Sequence, residues 1–475
     1  MIPLTLGEIA DAVEASLGGG ARPDDVVTGA VRTDSRAVAE GDLFVAVVGS
    51  VHDAHDFAAS AVASGAVAVL ASQPLEVPCI VVADTVVALG LLARAVLDRL
   101  EDVVVVAVTG SSGKTSVKDL LAQVLTSYGP TVSPRGSFNN EIGVPITALE
   151  VDRDTRVLVC EMGSRGPGHI RYLMTVAPPR IGVVLNVGSA HVGEFGSREI
   201  TAQSKGELVE GLPDSAMGGV AVLNADDALV VGMRGRTQAR VVTFGVTAEA
   251  DIRAESIVLD ELGRPSFTLR AGGNVAPVTL GLHGAHHVLN ALAAAAVALT
   301  LGIDFGTVAT ALSRSRPASR WRMEVTETPS GVTVVNDAYN ANPESVRAAL
   351  QALVAMSGPT PSHPLRRTVA VLGEMRELGE ASQAEHEDIG RTAVRLGIDR
   401  LVIVGTDAAG VPAAALARGA AGLRATIVPD VDAALALLRE ELSSGDVVLV
   451  KASRAAGLER VAMSLVESLS PGVGA

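Results

Sequence analysis

The stretch "VVVVAVTGSSGKTSVKDLL", residues 103–121, decides the fold. Its unbroken apolar start reads as a strand buried on both faces, as in the middle of a parallel sheet. Two glycines then allow a tight turn, and "KTSVKDLL" continues as a helix. Such a turn collects backbone N–H groups at the positive end of a helix dipole, which is a site for phosphate. Lys114 adds a point charge, and the Thr115 hydroxyl can ligate Mg²⁺. The pattern departs from the full GxxxxGK[ST] phosphate loop, because Val108 stands where the first glycine belongs. What remains is Thr109-Gly110-Ser111-Ser112-Gly113-Lys114-Thr115-Ser116, and the alternative reading is a bare glycine turn. The loop alone leaves the phosphate acceptor open, since kinases, GTPases, motors and ligases all use one. A GTPase base reader of NKxD type is not found; "NADD" (224–227) lacks the lysine.

Outward from this stretch the same alternation of strand and helix continues. "RVLVCEMG" (156–163), "RIGVVLNVG" (180–188), "GVAVLNADD" (219–227) and "RVVTFGV" (240–246) are strand-like, and their spacing predicts a mostly parallel sheet covered by helices. Before it, "DLFVAVVG" (42–49), "AVAVLAS" (66–72) and "CIVVADT" (79–85) outline a small α/β unit. After it, the basic, proline-broken "SRSRPASR" (313–320) is a linker candidate. "GVTVVNDAY", "TVAVLGEM", "RLVIVG" and "DVVLVKAS" then predict a second doubly wound unit. The expected division is therefore α/β throughout, with domains at 1–100, 101–316 and 317–475, the last Rossmann-like.

Bulk properties agree. A chain of 475 residues with 48% hydrophobic and 19% charged content is globular and too long for one core. "ALAAAAVALTLGI" (291–303) falls short of the ~20 residues of a bilayer span and is expected as a buried helix. No secretory leader is recognised, and Cys79 and Cys160 lie in apolar strands, so a reducing cytoplasm is expected; a monomer is a separate expectation. The net charge of −15 argues against nucleic acid as the main partner and assigns anion binding to local groups.

A second constellation follows the phosphate loop. Glu161 ends an apolar strand, where α/β proteins place ligand-binding groups, and can hold Mg²⁺ through oxygen; an ordinary strand-end acid is the alternative. "LNVGSAHVGEFGS" contributes Asn186 and His191, the histidine being equally readable as a structural hydrogen-bonder. "ITAQSKGELVEGL" places Lys205 on a helix, where a solvated lysine is the bland reading. Phosphate loop, strand-end Glu, AH with FGS, and SKGEL occur in the order found in the Mur ligase family, which this chain resembles over nearly its whole length. That family extends the peptidoglycan precursor by ATP-driven amide bonds. The resemblance implies metal ligation by Thr115, Glu161, His191 and Lys205, the last carbamylated by CO₂, with two Mg²⁺ ions.

Further strings resemble those members that join D-alanyl-D-alanine to UDP-MurNAc-tripeptide. "RGSFNNEIGVP" (135–145) implies substrate contacts by Asn139 and Asn140, and "NDAYNANPES" (336–345) implies ribose and substrate contacts by Asp337, Tyr339, Asn340 and Asn342. "LVKASRAAGLERV" (449–461) is similar to the family's VKGSR string, with Ala452 for glycine, and implies roles for Lys451, Ser453 and Arg454. "RTDSRAVAEGDLFVAVVGSVHDAHDF" (32–57) is similar to the UDP-binding part, with Ser35 and Arg36 as diphosphate or uridine contacts. "GAHHVLNALAAAA" matches GxHNxxNALAA with His287 in place of the usual Asn, and implies that Asn290 faces adenine. Arg320 matches a family arginine that reaches the ATP phosphates; a bare linker arginine is the alternative. Lys114, Lys205, His191 and Arg320 are thus the expected catalytic set. The implied reaction passes through an acyl phosphate and gives a UDP-linked pentapeptide, ADP and phosphate. Another ligase of the family, adding one amino acid to a muramoyl precursor or to folate, is the alternative.

Overall fold

The computed structural model describes residues 1–49, 52–188, 197–359, 365–405 and 423–469. Three sheets follow one another along the chain. The first is five-stranded, in the order Ser16–Gly18, Cys79–Val81, Ala68–Ala71, Leu43–Val45, Val31–Arg32, with a short antiparallel pair, Leu4–Thr5 and Val26–Val27, beside it. The helix Thr85–Leu97 buries Leu89, Leu92 and Val96 beneath this unit.

The second sheet has nine strands, in the order Asn274–Thr279, Pro265–Ala271, Ile252–Leu259, Arg240–Gly245, Val220–Asn224, Ile181–Val184, Val104–Thr109, Val157–Glu161, Thr131–Val132. Val104–Thr109 is buried at every position, as its continuous apolar sequence requires. Its neighbours on the two sides, Val157–Glu161 and Ile181–Val184, both run parallel to it. The chain first winds toward one edge and then crosses to the other, so the strand order reverses at Val104–Thr109. That reversal opens a crevice at the carboxyl end of the strand, where the phosphate loop begins. The helices Lys114–Val124 and His287–Thr300 cover one face, the latter burying an almost unbroken run from Ala291 to Ala298. "ALAAAAVALTLGI" is thus a core helix.

The sequence reading did not separate the outer three strands of this sheet. Ile252–Leu259, Pro265–Ala271 and Asn274–Thr279 form an antiparallel meander, turned at Gly272 (φ 51°) and Gly273 (φ 87°). Their alternating burial marks a sheet with one face in water, unlike the fully buried centre.

The third sheet has six strands, in the order Glu324–Glu327, Thr333–Asn336, Val447–Lys451, Thr368–Leu372, Arg400–Val404, Arg424–Val428. All but the first pair are parallel. Glu324–Glu327 and Arg424–Val428 are edge strands beyond the four read from the sequence, and both are more polar than the centre. The helix Phe305–Arg314 takes up the start of the basic segment, so the link to this sheet begins only at Ser315. No helix among the described residues is long and apolar enough to cross a membrane.

Candidate active site

The phosphate loop is held open by its neighbours. Gly113 has φ 83°, and a Cβ there would stand 2.7 Å from Asn290 Oδ1, so glycine is required both by the backbone and by the space. Asn186 braces the loop from the next strand: its Oδ1 accepts from the Ser112 N–H at 2.9 Å, and its Nδ2 donates to Ser112 O at 3.2 Å. The Ser111 hydroxyl accepts from the Gly188 N–H at 2.9 Å. Lys114 Nζ curls back to donate to Gly110 O at 2.7 Å. Burial lowers its ammonium pKa, joined by the Arg322 guanidinium and opposed by Glu161 and Glu377. The charge therefore stands ready over the loop, satisfied by a carbonyl that phosphate oxygens can replace.

Glu161, only 1% exposed, is the hub of the next layer. Its Oε2 accepts from Thr115 Oγ1 at 2.9 Å, and its Oε1 from Ser137 Oγ and Asn139 Nδ2, both at 2.8 Å. A carboxylate and a hydroxyl facing each other at the head of a phosphate loop are hard oxygen donors, a set that suits Mg²⁺. No group of three or more His, Cys, Asp or Glu able to hold a metal occurs among the described residues. His191 lies outside them. Asn140 does something different from Asn139: its Oδ1 accepts from the Ile142 and Gly143 N–H groups and starts the helix Gly143–Ala148.

Lys205 is buried on the helix Arg198–Glu210 at 2% exposure, not solvated. Burial, with the nearby Lys114 charge, lowers its pKa to about 7. A substantial share of such an amine is unprotonated near neutrality, the form that adds CO₂. Ser164 and Ser204, next to Lys205 in sequence, touch at 2.5 Å through their hydroxyls.

The third sheet supplies the opposite wall. Lys451 Nζ donates to Asp337 Oδ2 at 2.7 Å and to Asn340 O at 2.8 Å, fixing both residues at the strand ends. Asn342 caps the helix Pro343–Met356, as Asn before Pro predicts, and its Nδ2 reaches across to Ser111 O at 3.3 Å. A Cβ added at Gly188 would fall 2.7 Å from the Glu344 carboxyl carbon, which shows how closely the two units approach.

Together these residues line one cavity of about 480 Å³. Of the residues singled out in the sequence, Ser111, Ser112, Gly113, Lys114, Thr115, Ser116, Asn139, Asn140, Glu161, Lys205, Asn290, Asp337, Tyr339, Asn340, Asn342 and Lys451 all face it. Other predicted residues do not. Gly110 lies at the base of the loop, its carbonyl engaged by Lys114. Ser35 and Arg36 sit in the first unit on a 3₁₀ turn, with Arg36 paired to Asp34 at 2.7 Å. Ser453 is buried, its Oγ accepting from the Arg376 N–H at 2.9 Å, and Arg454 stacks 4.1 Å from the Trp321 ring while pairing with Glu459 at 2.6 Å.

The arginine in the cavity is Arg322, not Arg320. Arg320 is exposed, 5.7 Å from the Trp321 ring, whereas Arg322 lies 4.3 Å from the Tyr339 ring and lines the cavity. Its buried Nε has no hydrogen-bond partner among the described residues. Trp321 (φ 59°) and Met323 (φ 48°), flanking it, both occupy the left-handed region that bulky residues avoid. The sequence showed arginines on both sides of Trp321 but not this backbone.

His286 and His287 are further cavity residues that the sequence did not assign. Burial lowers both, His286 to about 4 and His287 well below the usual imidazole range, so each stays neutral. His287 Nδ1 lies 3.3 Å from Asn290 Nδ2 and accepts its N–H. The amide this orients lies against Gly113, at the phosphate loop. Two further histidines are structural: His55 Nε2 accepts from the Ser72 N–H at 2.9 Å, and His283 donates to Leu262 O at 2.8 Å.

The chain belongs to the Mur ligase family. The family's catalytic domain matches residues 28–100, its middle domain 108–298 and its glutamate ligase domain 321–454. The UDP-N-acetylmuramoyl-tripeptide–D-alanyl-D-alanine ligase of Mycobacterium tuberculosis is 49% identical, with 98% of each chain covered. That of Escherichia coli is 35% identical over 98% of this chain and 99% of its own. Among solved structures, MurF from Acinetobacter baumannii superposes with a TM-score of 0.86 at 32% identity, covering 98% of this chain and 99% of its own. Thermotoga maritima MurF ligase in complex with ADP gives 0.79 at 31%, covering 93% and 98%.

Proposed function

We infer that this chain is the ATP-dependent ligase that joins D-alanyl-D-alanine to UDP-MurNAc-tripeptide, giving UDP-MurNAc-pentapeptide, ADP and phosphate for peptidoglycan synthesis. The observation that carries the reading is the shared cavity. It brings a phosphate loop, a buried carboxylate hub and a buried lysine from one unit against Asp337, Tyr339, Asn340 and Lys451 of another.

An amide forms from a carboxylate only when hydroxide is replaced by a better leaving group. The tripeptide's terminal carboxylate attacks the γ-phosphorus of ATP, and ADP leaves. The dipeptide amine then attacks the acyl-phosphate carbonyl, and the tetrahedral intermediate collapses to amide and inorganic phosphate. Ser111 to Gly113 and Ser116 cradle the phosphates, with Gly110 allowing the loop to turn beneath them, and Lys114 and Arg322 offset the charge on them. Arg322 takes the role that the sequence suggested for Arg320. Asp337 takes the ribose, and Asn290 holds the nucleotide side against the loop. Asn139, Asn140, Tyr339, Asn340, Asn342 and Lys451 shape the acceptor side.

Thr115 and Glu161, with His191 and a carbamate on Lys205, are the groups that would hold two Mg²⁺ ions, whose chemistry is to neutralise crowded phosphate oxygens. Burial of Lys205 and its lowered pKa support the carbamate. The unit 1–100 binds the UDP end through Ser35 and Arg36, 101–316 binds ATP, and 317–475 closes the cavity against water. The two buried free cysteines and the nucleotide substrates support a cytoplasmic site.

The test is phosphate release from ATP with UDP-MurNAc-tripeptide and D-alanyl-D-alanine supplied singly and together. Release that needs both, with a pentapeptide product by mass, is expected. Release that ignores the dipeptide but answers to a single amino acid would move the chain to the neighbouring ligase reading.

A further inference from the structure

At the cavity wall, two lining residues, Arg165 and His169, hold Glu141 in an ion pair that the chemistry above does not use. Arg165 NH1 lies 3.2 Å from Glu141 Oε1, and His169 Nε2 lies 3.1 Å from Glu141 Oε2. His169 Nδ1 accepts the Arg165 backbone N–H at 3.2 Å, so the ring proton sits on Nε2 and is donated to Glu141. The arrangement is anchored from behind. His169 is the first residue of the helix His169–Val176, and Glu207 takes the Gly168 and Arg171 N–H groups of that helix start. Arg165 and His169 line the cavity, and the Arg165 side chain is 61% exposed there. The wall runs from Glu161 through Gly163 and Ser164 to Arg165, and Arg165 and Lys205 line the same cavity.

We infer that the Glu141–Arg165 pair, held by His169, reads the side chain of the acceptor's third residue and selects one that ends in an α-amino acid, as diaminopimelate does, over one that ends in a lone amine, as lysine does. The inference rests on the reading that this residue's main-chain carboxylate is activated between Lys114 and Lys205, which leaves its side chain to extend along the adjacent wall. An ion pair offers both signs of charge. A zwitterionic terminus docks on it head to tail, carboxylate on Arg165 and ammonium on Glu141, with no charge left over. A lone ammonium can take Glu141 only by drawing it from Arg165, which leaves the guanidinium without its carboxylate partner. His169 keeps the Glu141 carboxylate in place for either ligand, so the discrimination falls on Arg165.

The experiment compares kcat/KM for UDP-MurNAc-tripeptides ending in meso-diaminopimelate and in L-lysine, at saturating ATP and D-alanyl-D-alanine, for the wild-type chain and for Arg165→Gln. The expected wild-type preference for diaminopimelate is about tenfold or more, as for a site built to hydrogen-bond a group the competitor lacks. Arg165→Gln should reduce that ratio to near unity, through KM for the diaminopimelate substrate, and Arg165→Lys should restore part of it. The KM for ATP reports that the variants are folded. A wild-type chain that turns over both tripeptides equally, or prefers lysine, overturns the assignment while leaving the ligase reading intact. An equal loss on both substrates in Arg165→Gln would put the arginine on the part of the precursor they share, and also overturns it. Turnover of neither tripeptide by the wild-type chain overturns the ligase reading and this assignment with it.

Discussion

The two walls of the cavity are built differently. On the phosphate-loop side, Thr115, Ser137, Asn139 and Glu161 form a closed hydrogen-bond network, and Asn186 pins Ser112 by both ends of its amide. On the opposite side, order comes from one buried charge, Lys451, bonded to Asp337 and to the Asn340 carbonyl. Asn342 Nδ2 to Ser111 O, at 3.3 Å, is a hydrogen bond between them. Each wall is thus organised within its own sheet, and the cavity exists only where they meet. Damage to the first wall should therefore strike chemistry, damage to the second should strike the fold of its unit and nucleotide binding, and damage to the seam should strike neither strongly.

The largest expected effect tests the first wall. Lys205→Ala should lower kcat by on the order of 10²–10³-fold, the scale of losing a preorganised charge-stabilising group. ATP binding, followed by equilibrium titration, should change little, because the loop contacts of Lys114 and Asn186 do not pass through Lys205. Added bicarbonate or a short carboxylic acid should restore part of the rate. Full activity in the variant would sink the carbamate.

Lys451→Met tests the second wall. Its side chain is 2% exposed and that of Asp337 14%, so the substitution strands a largely buried carboxylate and should cost roughly 3 kcal/mol of stability. Combining it with Asp337→Leu should recover much of that loss in thermal unfolding and leave KM for ATP raised. Recovery of both together would mean that the pair is structural only.

Lys118 sharpens the comparison from inside the first wall. It is 3% exposed, pairs with Asp119 at 2.6 Å and donates to Pro134 O at 2.7 Å, so the nucleotide-binding helix holds the base of the loop that carries Ser137 and Asn139. Lys118→Met should lower kcat/KM for the tripeptide by about 10-fold, as loss of a supporting contact typically does, while the KM for ATP stays close to wild type. An equal rise in both KM values would show a general loosening of the helix instead.

These contrasts also explain what the sequence could and could not convey. The central sheet was legible because burial on both faces writes continuous apolar runs such as 103–108, and the phosphate loop because Gly113 is demanded by its backbone and Gly110 by the close approach of Leu185. The antiparallel meander at 252–279 was missed, since its half-solvated strands carry charged and polar residues between the apolar ones and lack the continuous apolar runs of the centre. Many residues singled out from their strings, on strand ends and caps, line one cavity. Arg322 was not singled out, because adjacent side chains diverge in a direction set by φ, and the left-handed turns at Trp321 and Met323 leave no mark in the residue types. Nor did the strings around Glu141, Arg165 and His169 stand out, for their ion pair joins residues 24 and 28 positions apart.

The smallest effect belongs to the seam. Asn342 does two things: its Oδ1 accepts from the Ser345 N–H at 2.9 Å to cap the helix Pro343–Met356, and its Nδ2 crosses to Ser111 O. Asn342→Ala removes both, whereas Asn342→Asp keeps the cap and replaces the crossing donor by an acceptor facing a carbonyl. The cap alone is worth about 1 kcal/mol, so Ala should lower the unfolding midpoint slightly and Asp should not. If the seam matters for turnover, Asp is the more damaging of the two to kcat despite being the more stable. If the seam is incidental, kcat follows stability and Ala is the worse. The order of the two variants in a rate assay, set beside their order in a melt, therefore separates contact between the walls from the integrity of either one.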